Sequence, residues 1–233
     1  MYAVFGLKKV LAFIAGLIVL VILGMLFNEY PTDLIEFGKA AWKVASGVVT
    51  AFILLGSVPI IFRSAWWCYE KIFQGSYPDI SGVWLGTVES NYSVHSAIRN
   101  AAVSKETSLD PLDPSQIKPI DLQNFDAKLT IKASLLKINI VMEVQGLTDK
   151  SESFSVSATP LVAQNEEPHG LVYIYKSRHY DKAADDEASH TGAAEVQIKR
   201  TPEGLLEMKG LYWTVRNWRR AGNTAGILKF VRQ

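Results

Sequence analysis

The chain has 233 residues, 48% of them hydrophobic, and it carries 24 basic against 23 acidic side chains. This length suits one or two domains, and a single cysteine excludes an intramolecular disulfide. The charges are unevenly placed, because residues 209–233 carry six basic side chains and no acidic one.

Two uncharged apolar runs, residues 10–27 and 44–62, open the chain. An apolar run of about 18 or more residues is long enough to cross a bilayer core of about 30 Å. We predict transmembrane helices over about 8–28 and 38–64, within a first domain of residues 1–75 that ends in a juxtamembrane linker. A cleaved signal peptide and a buried soluble hairpin are the alternatives for these runs.

The charges that flank the two runs indicate an orientation. Lys8 and Lys9 precede the first run, and Arg63 and Lys71 follow the second. Because Lys and Arg favour the cytoplasmic side, we predict that the N-terminus and the C-terminal domain are cytoplasmic. Two lysines in the connecting segment weaken this prediction.

Residues 76–233 are predicted to form a second, all-β domain. Apolar and polar residues alternate in eight segments, most of them joined by short polar links, which is typical of neighbouring antiparallel strands. Eight such strands predict a closed up-and-down barrel, with a two-sheet sandwich as the alternative. The segments are 82–92, 125–133, 136–145, 152–159, 171–178, 193–200, 205–215 and 224–232.

Two longer connections interrupt this pattern, at residues 93–124 and 180–192. Connections of this length are usually functional lids or disordered segments, and the sequence leaves both possibilities open. The second connection contains a cluster of carboxylates, which we interpret as a solvated turn.

The first segment begins with Gly82-x-Trp84, and the last contains Arg232. This combination is similar to lipocalin-like barrels, in which the Trp plugs the closed end and the Arg packs over its ring. The resemblance implies that Gly82, Trp84 and Arg232 form a structural plug at the end of the barrel nearest the N-terminus. The opposite end is then the mouth.

The predicted mouth combines arginines with aromatic residues. Bases stack on aromatic rings and guanidinium planes, and Arg binds phosphate in a bidentate way, so the mouth suits a flat anionic ligand. A solvated basic hairpin without a ligand is the alternative. The predicted ligand-binding residues are Tyr92, Tyr175, Arg178, Tyr212, Thr214, Arg216, Arg219 and Asn223.

The sequence contains no catalytic or metal-binding motif that we recognise. We place the four histidines, His95, His169, His179 and His190, in turns, and none forms a zinc-binding pair. We therefore expect neither an enzyme nor a cofactor.

Taken together, the chain resembles the two-transmembrane β-barrel effectors of CBASS, the bacterial cyclic-oligonucleotide anti-phage systems. The resemblance rests on the layout and on two loose motifs, Gly82-x-Trp84-x-Gly86 and Gly210-x-Tyr212 with Gly226-x-Leu228. It implies that the barrel binds a cyclic di- or oligonucleotide made by a partner nucleotidyltransferase (CD-NTase). It also implies self-association to a homo-oligomer and disruption of the lipid of the inner membrane, with no DNA or RNA partner.

Two other functions remain compatible with the sequence. One is a membrane-anchored, lipocalin-like binder of a lipid or small apolar ligand. The other is a scaffold whose filled barrel docks another protein.

Overall fold

The computed structural model describes residues 2–28, 33–73, 75–145, 151–164, 167–179, 188–220 and 222–233. The chain divides into two compact units. The helical unit comprises Met1–Asp79 with Ala133–Ile138, and the barrel unit comprises Ile80–Lys132 with Asn139–Gln233.

The helical unit begins with a short 3-10 turn, Tyr2–Val4, followed by α1 (Leu7–Asn28), α2 (Leu34–Ser57) and α3 (Pro59–Ile72). The side chain of Asp33 caps α2 by accepting a hydrogen bond from the Glu36 N–H at 2.7 Å. By length and composition, α1 and α2 are each able to cross a membrane, which indicates membrane insertion.

Where the sequence predicts a single second helix to about residue 64, the structure has two helices that meet at Val58. Val58 is extended, with φ −79° and ψ 115°, and Pro59 begins α3. Proline has no N–H to donate, and its ring disfavours helical geometry in the preceding residue, so the helix ends before it. Proline at the first helical position is in turn favourable for α3.

The second half of α3 is fastened to the chain segment that follows it. Trp66 is buried, and its Nε1–H donates to the Tyr77 carbonyl at 3.1 Å. Arg63 pairs with Asp79 at 3.1 Å, and the Asp79 N–H donates to the Glu70 carboxylate. These contacts hold residues 77–79 against α3.

In the described residues, eight antiparallel strands form a closed barrel in which each strand pairs with the next and β8 pairs with β1. The predicted barrel is confirmed, and the sandwich alternative is wrong. The strands are β1 (Gly82–Ser90), β2 (Gln123–Ala133), β3 (Ile138–Gln145), β4 (Ser151–Leu161), β5 (His169–His179), β6 (Ser189–Arg200), β7 (Leu206–Val215) and β8 (Ala225–Arg232).

The barrel interior near the start of β1 is filled by large apolar side chains. Trp84 is fully buried, and its Nε1–H donates to the Ile80 carbonyl at 3.0 Å. Five further side chains are at most 1% exposed, so this part of the barrel is solidly packed. They are Ile131, Leu171, Met208, Leu228 and Phe230.

The three predicted plug residues are brought together at this end. Arg232 lies opposite Trp84 in the β1–β8 register. Gly82 has φ +139°, a conformation that other residues rarely adopt, and a Cβ there would lie 3.2 Å from Arg232 Nε. The plug role itself stays a prediction.

The opposite end, where β1 finishes, is the mouth end. Two connections leave from it in the described residues, the segment 91–122 and the hairpin between β7 and β8. The first contains α4 (Tyr92–Val103) and the short α5 (Pro114–Ile117). Within the other predicted long connection, residues 180–187 lie outside the described residues, and residues 189–192 begin β6.

Candidate ligand site at the mouth of the barrel

The inner wall at the mouth end is lined by hydroxyl groups. Five buried serine and threonine side chains of the described residues lie there, and the sixth, Ser81, precedes β1 at the opposite end. Two buried tyrosines face the same space from β5 and β7. We call this set the hydroxyl belt; it comprises Ser90, Ser153, Tyr175, Ser177, Tyr212, Thr214 and Thr224.

Tyr175 lies across the inner wall over Gly192. The two residues are opposite each other in the β5–β6 register, and a Cβ on Gly192 would overlap Cζ and Oη of Tyr175. The ring also packs at 46° against Tyr173, with 5.9 Å between centroids. Burial, followed by the nearby Tyr173 and Tyr212, raises the pKa of Tyr175. Tyr175 therefore presents a neutral hydroxyl, which is able to donate or accept.

Tyr212 reaches the belt from the other side of β6. It lies opposite Ala194 in β6 and Gly226 in β8, and a Cβ on Gly226 would approach its Cε1 to 2.8 Å. Its side chain hydrogen-bonds to Ser90. Burial raises the pKa of Tyr212, and this hydrogen bond opposes that shift. Small residues on β6 and β8 thus make room for the tyrosine rings.

Thr214 is engaged with Thr224 across the base of the β7–β8 hairpin. Its Oγ1 accepts the Thr224 N–H at 3.0 Å and lies 2.9 Å from the Thr224 Oγ1. The Thr214 N–H donates to the Thr224 carbonyl at 2.9 Å. Thr214 thus fixes the base of the hairpin, and the ligand contact predicted for it stays a prediction.

Two backbone features are seen in the described residues of the hairpin beyond this pair. Asn217 adopts a positive φ of 45°, and the Gly222 N–H donates to its carbonyl at 3.1 Å. Trp218–Arg220 form a 3-10 turn, in which the Arg219 guanidinium lies 5.2 Å from the Trp218 ring. Arg219 is exposed to solvent beside this ring.

The other predicted rim residues lie outside the barrel wall. Arg178 and Asn223 are exposed, and Arg216 is half-buried. On β5, Tyr175 and Ser177 are buried whereas Arg178 points away, as strict alternation requires. The structure therefore places Tyr175 and Tyr212 inside the mouth and the predicted arginines around it.

The prediction that Tyr92 continues β1 on the inner face is wrong. β1 ends at Ser90, because both the backbone and the side chain of Asn91 hydrogen-bond to Ala225 of β8. The Asn91 N–H donates to the Ala225 carbonyl at 3.0 Å, and the Asn91 Oδ1 accepts the Ala225 N–H at 2.9 Å. Tyr92 instead begins α4, where it is 39% exposed and the Arg99 guanidinium lies 5.6 Å from its ring.

The prediction that the histidines lie in turns is also wrong. His169 and His179 bound β5, and His95 lies in α4. His190 lies on β6 opposite Ser177, and it shares the alternation of the buried Gly192 and Ala194. Extending that alternation upstream in the sequence would have placed His190 at the mouth.

Among the described residues there is no group of three side chains suited to hold a metal ion. The belt offers neutral hydroxyls, and its tyrosine pKa values are raised by burial. This chemistry serves recognition of a ligand with many hydrogen-bonding groups.

Comparison with known protein families identifies the domain. Residues 117–231, from the end of α5 into β8, match the family described as Cap15, cyclic dinucleotide receptor domain. The barrel is therefore similar to the Cap15 receptor domain over this range. The resemblance to CBASS effectors drawn from the sequence is thereby confirmed, and the match supports binding of a cyclic nucleotide by the barrel.

The chain is also similar to a curated protein, CD-NTase-associated protein 15 of Escherichia albertii. The two are 25% identical over 203 residues, which cover 85% of this chain and 86% of the relative. The similarity thus extends well beyond the Cap15 receptor domain.

Proposed function

We propose that the barrel binds a cyclic dinucleotide against the hydroxyl belt, and that binding makes the protein self-associate and disrupt the inner membrane. One observation carries the proposal: the Cap15 receptor domain places tyrosine rings and a belt of neutral hydroxyls inside its mouth. Aromatic rings stack on bases, and hydroxyls pair with both the donors and the acceptors of a base.

The packing of the rest of the barrel supports a site confined to the mouth end. Below the belt, side chains such as Trp84 and Phe230 are at most 1% exposed. A lipid tail would have to displace these side chains, and disturbing a tightly packed core destabilises the fold. This packing disfavours the alternative of a deep apolar ligand site.

The charges around the mouth supply attraction for an anionic ligand. Arg178 and Arg219 are exposed, and Arg216 is half-buried. Guanidinium groups match the geometry of phosphate oxygens and hold them in a bidentate way. The signal is then a cyclic dinucleotide made in the cytoplasm by a cognate CD-NTase. The barrel lies on the same side of the membrane, because Lys8, Lys9 and Arg63 favour an orientation with the N-terminus and the barrel in the cytoplasm.

Self-association has a candidate surface on the outside of the barrel. On β7, Leu211, Trp213 and Val215 alternate outward and are 59%, 45% and 53% exposed. Ile174 on β5, 46% exposed, adds to this outer apolar face. An exposed apolar patch marks an interaction site, and a second copy is favoured as the partner because every copy is anchored in the same membrane.

Ligand binding favours assembly only to the extent that the assembled protein binds the ligand more tightly than the single copy does. Helices α1 and α2 carry the assembly into the lipid. Gly16, Gly24 and Gly47 lie at open positions on them, where a neighbouring helix is able to approach closely.

Ligand binding is tested on the full chain in detergent micelles. Cyclic di-AMP, cyclic di-GMP and cyclic GMP–AMP are added in turn, and thermal unfolding is followed. A ligand at a hundredfold excess over its dissociation constant should stabilise the protein by about 2.7 kcal/mol. Tyr175→Ala should abolish the shift, whereas Ile174→Ala, on the outer face of the same strand, should retain it. Absence of a shift with every nucleotide tested, together with stabilisation by lipid, would refute ligand recognition of this kind.

Assembly is tested separately with Trp213→Lys. This variant should bind the cyclic dinucleotide as the wild type does, because Trp213 faces outward. It should fail to release a dye trapped in liposomes and should remain small by mass photometry. Lys209→Ala, a change at a charged position on the same strand, is the control. Full dye release by Trp213→Lys would remove the outer face of β7 from the mechanism.

A further inference from the structure

The chemistry of the barrel changes in three steps along its axis. Apolar side chains fill the end that holds Trp84. The hydroxyl belt follows, and arginines such as Arg178 and Arg219 stand exposed beyond it.

A phosphate group is poorly served by the interior. In the described part of the chain, the buried side chains that carry a hydroxyl are serines, threonines and tyrosines, and no charged side chain is buried. Placing an anion among neutral groups without a cation carries a large desolvation cost. The exposed guanidinium groups of the rim meet the same anion with charge-assisted hydrogen bonds.

A base is well served by the same interior. It is planar and neutral, and its edge carries both donors and acceptors. Tyr175 offers a ring and a hydroxyl, and its position over Gly192 is fixed by close contact. The Tyr212 hydroxyl is already bonded to Ser90, which leaves Tyr175 as the better placed group.

We infer that the ligand binds with its bases directed into the hydroxyl belt and its phosphates at the arginine rim, and that Tyr175 determines base specificity. The inference rests on the proposed function, since it concerns the same site. Tyr175 reads the edge or face of the base, and Arg219 contributes charge without reading the base.

Two conservative variants of the full chain in detergent separate these roles. Tyr175→Phe removes one hydroxyl and keeps the ring, and Arg219→Gln removes one charge from an exposed position. Affinities for cyclic di-AMP, cyclic di-GMP and cyclic di-UMP are measured for each protein at low and high salt. The three probes carry the same phosphates and differ only in their bases.

Tyr175→Phe should weaken binding of the preferred probe about two- to tenfold, the worth of one neutral hydrogen bond. It should change the ranking or the spacing of the three affinities and leave the ratio of low-salt to high-salt affinity unchanged. Arg219→Gln should weaken all three by the same factor and reduce that salt ratio, because screening acts on the lost charge.

The opposite pattern overturns the inference: a Tyr175→Phe variant that lowers all three affinities equally, or an Arg219→Gln variant that alters the base ranking. Failure of the wild type to bind any of the three probes is a different result, and it overturns the proposed function itself. Thermal unfolding of both variants, with midpoints close to the wild type, confirms that each is folded.

Discussion

Replacing Thr214 by Val tests whether the base of the β7–β8 hairpin is held by a single buried hydroxyl. The substitution preserves the shape of the side chain and removes Oγ1. The Thr224 N–H loses the acceptor that lies 3.0 Å away, and the Thr224 Oγ1 loses a partner at 2.9 Å. Both residues are 6% exposed, so water does not readily replace what is lost.

The expected loss of stability is about 2 kcal/mol. A buried N–H left without an acceptor costs about 1–3 kcal/mol, and a lost neutral hydrogen bond adds about 0.5–1.5 kcal/mol, partly overlapping with the first. For a domain of this size, each kcal/mol lowers the melting temperature by about 2–4 °C. Thr214→Val should therefore melt about 4–8 °C below the wild type.

Thr224→Val is the matched control, because it removes only the contact between the two Oγ1 atoms. The Thr214 hydroxyl keeps its contacts with the Thr224 backbone, and the expected shift is about 1–6 °C, smaller than that of Thr214→Val in the same assay. Differential scanning fluorimetry of the full chain in detergent measures both. Equal shifts for the two variants, or no shift for Thr214→Val, would refute the reasoning that the Thr214 hydroxyl carries the hairpin.

Three other changes have outcomes that the structure fixes. Gly192→Ala should lower the free energy of unfolding by about 1–3 kcal/mol and weaken ligand binding more than Tyr175→Phe does, because the new Cβ displaces the whole Tyr175 ring. Gly170→Ala is the control: its Cβ would come no closer than 3.0 Å to other atoms, so it should lower stability and ligand binding less in the same melting and binding assays. Trp66→Phe should cost about 1 kcal/mol in thermal unfolding, since the Tyr77 carbonyl loses its donor, and an unchanged midpoint would argue against that contact. Burial raises the pKa values of Tyr173, Tyr175 and Tyr212 above 10.0, so the contribution of these tyrosines to stability should be constant below about pH 10 and should be lost as the pH rises beyond it; a flat stability profile between about pH 9 and about pH 12 would contradict this.

The barrel was predictable from the sequence because its strands alternate strictly between two environments. Ile138 and Ile140 on β3 are buried while Asn139 between them is exposed, as the pattern predicts. The same parity places Leu228 and Phe230 inside, and both are 1% exposed. A period of two fixes which side chains share a face wherever one face is buried.

Alternation no longer reports the environment of a side chain once a strand ends. Parity gives a direction only while the strand continues, and Asn91 ends β1 through a contact with Ala225, 134 residues away. No local pattern reports such a contact, so the alternation wrongly predicts that Tyr92 continues β1. The helical spacing of Val94, Ala97 and Ile98 was the signal for α4.

The candidate site was predictable in part for the same reason. Tyr175 and Tyr212 follow from parity and lie inside the mouth. The role of Thr214 depends on which residue faces it across the hairpin, and the serines of the belt are too common in sequence to stand out. The orientation of Arg178 follows from parity, but its value for a ligand depends on the chemistry inside the wall.

The pairing of β1 with β8 has a consequence for biogenesis. Every other pair in the closed barrel joins strands that are consecutive in the chain, whereas this seam joins the first strand made to the last. During synthesis, β1 leaves the ribosome early and presents an unpaired edge until β8 has followed, and such edges invite pairing between chains. Across the finished seam, Lys229 of β8 pairs with Glu89 of β1. Charged side chains on an unpaired strand edge disfavour pairing with another chain, so Glu89 and Lys229 reduce pairing between nascent copies on one membrane before each barrel closes.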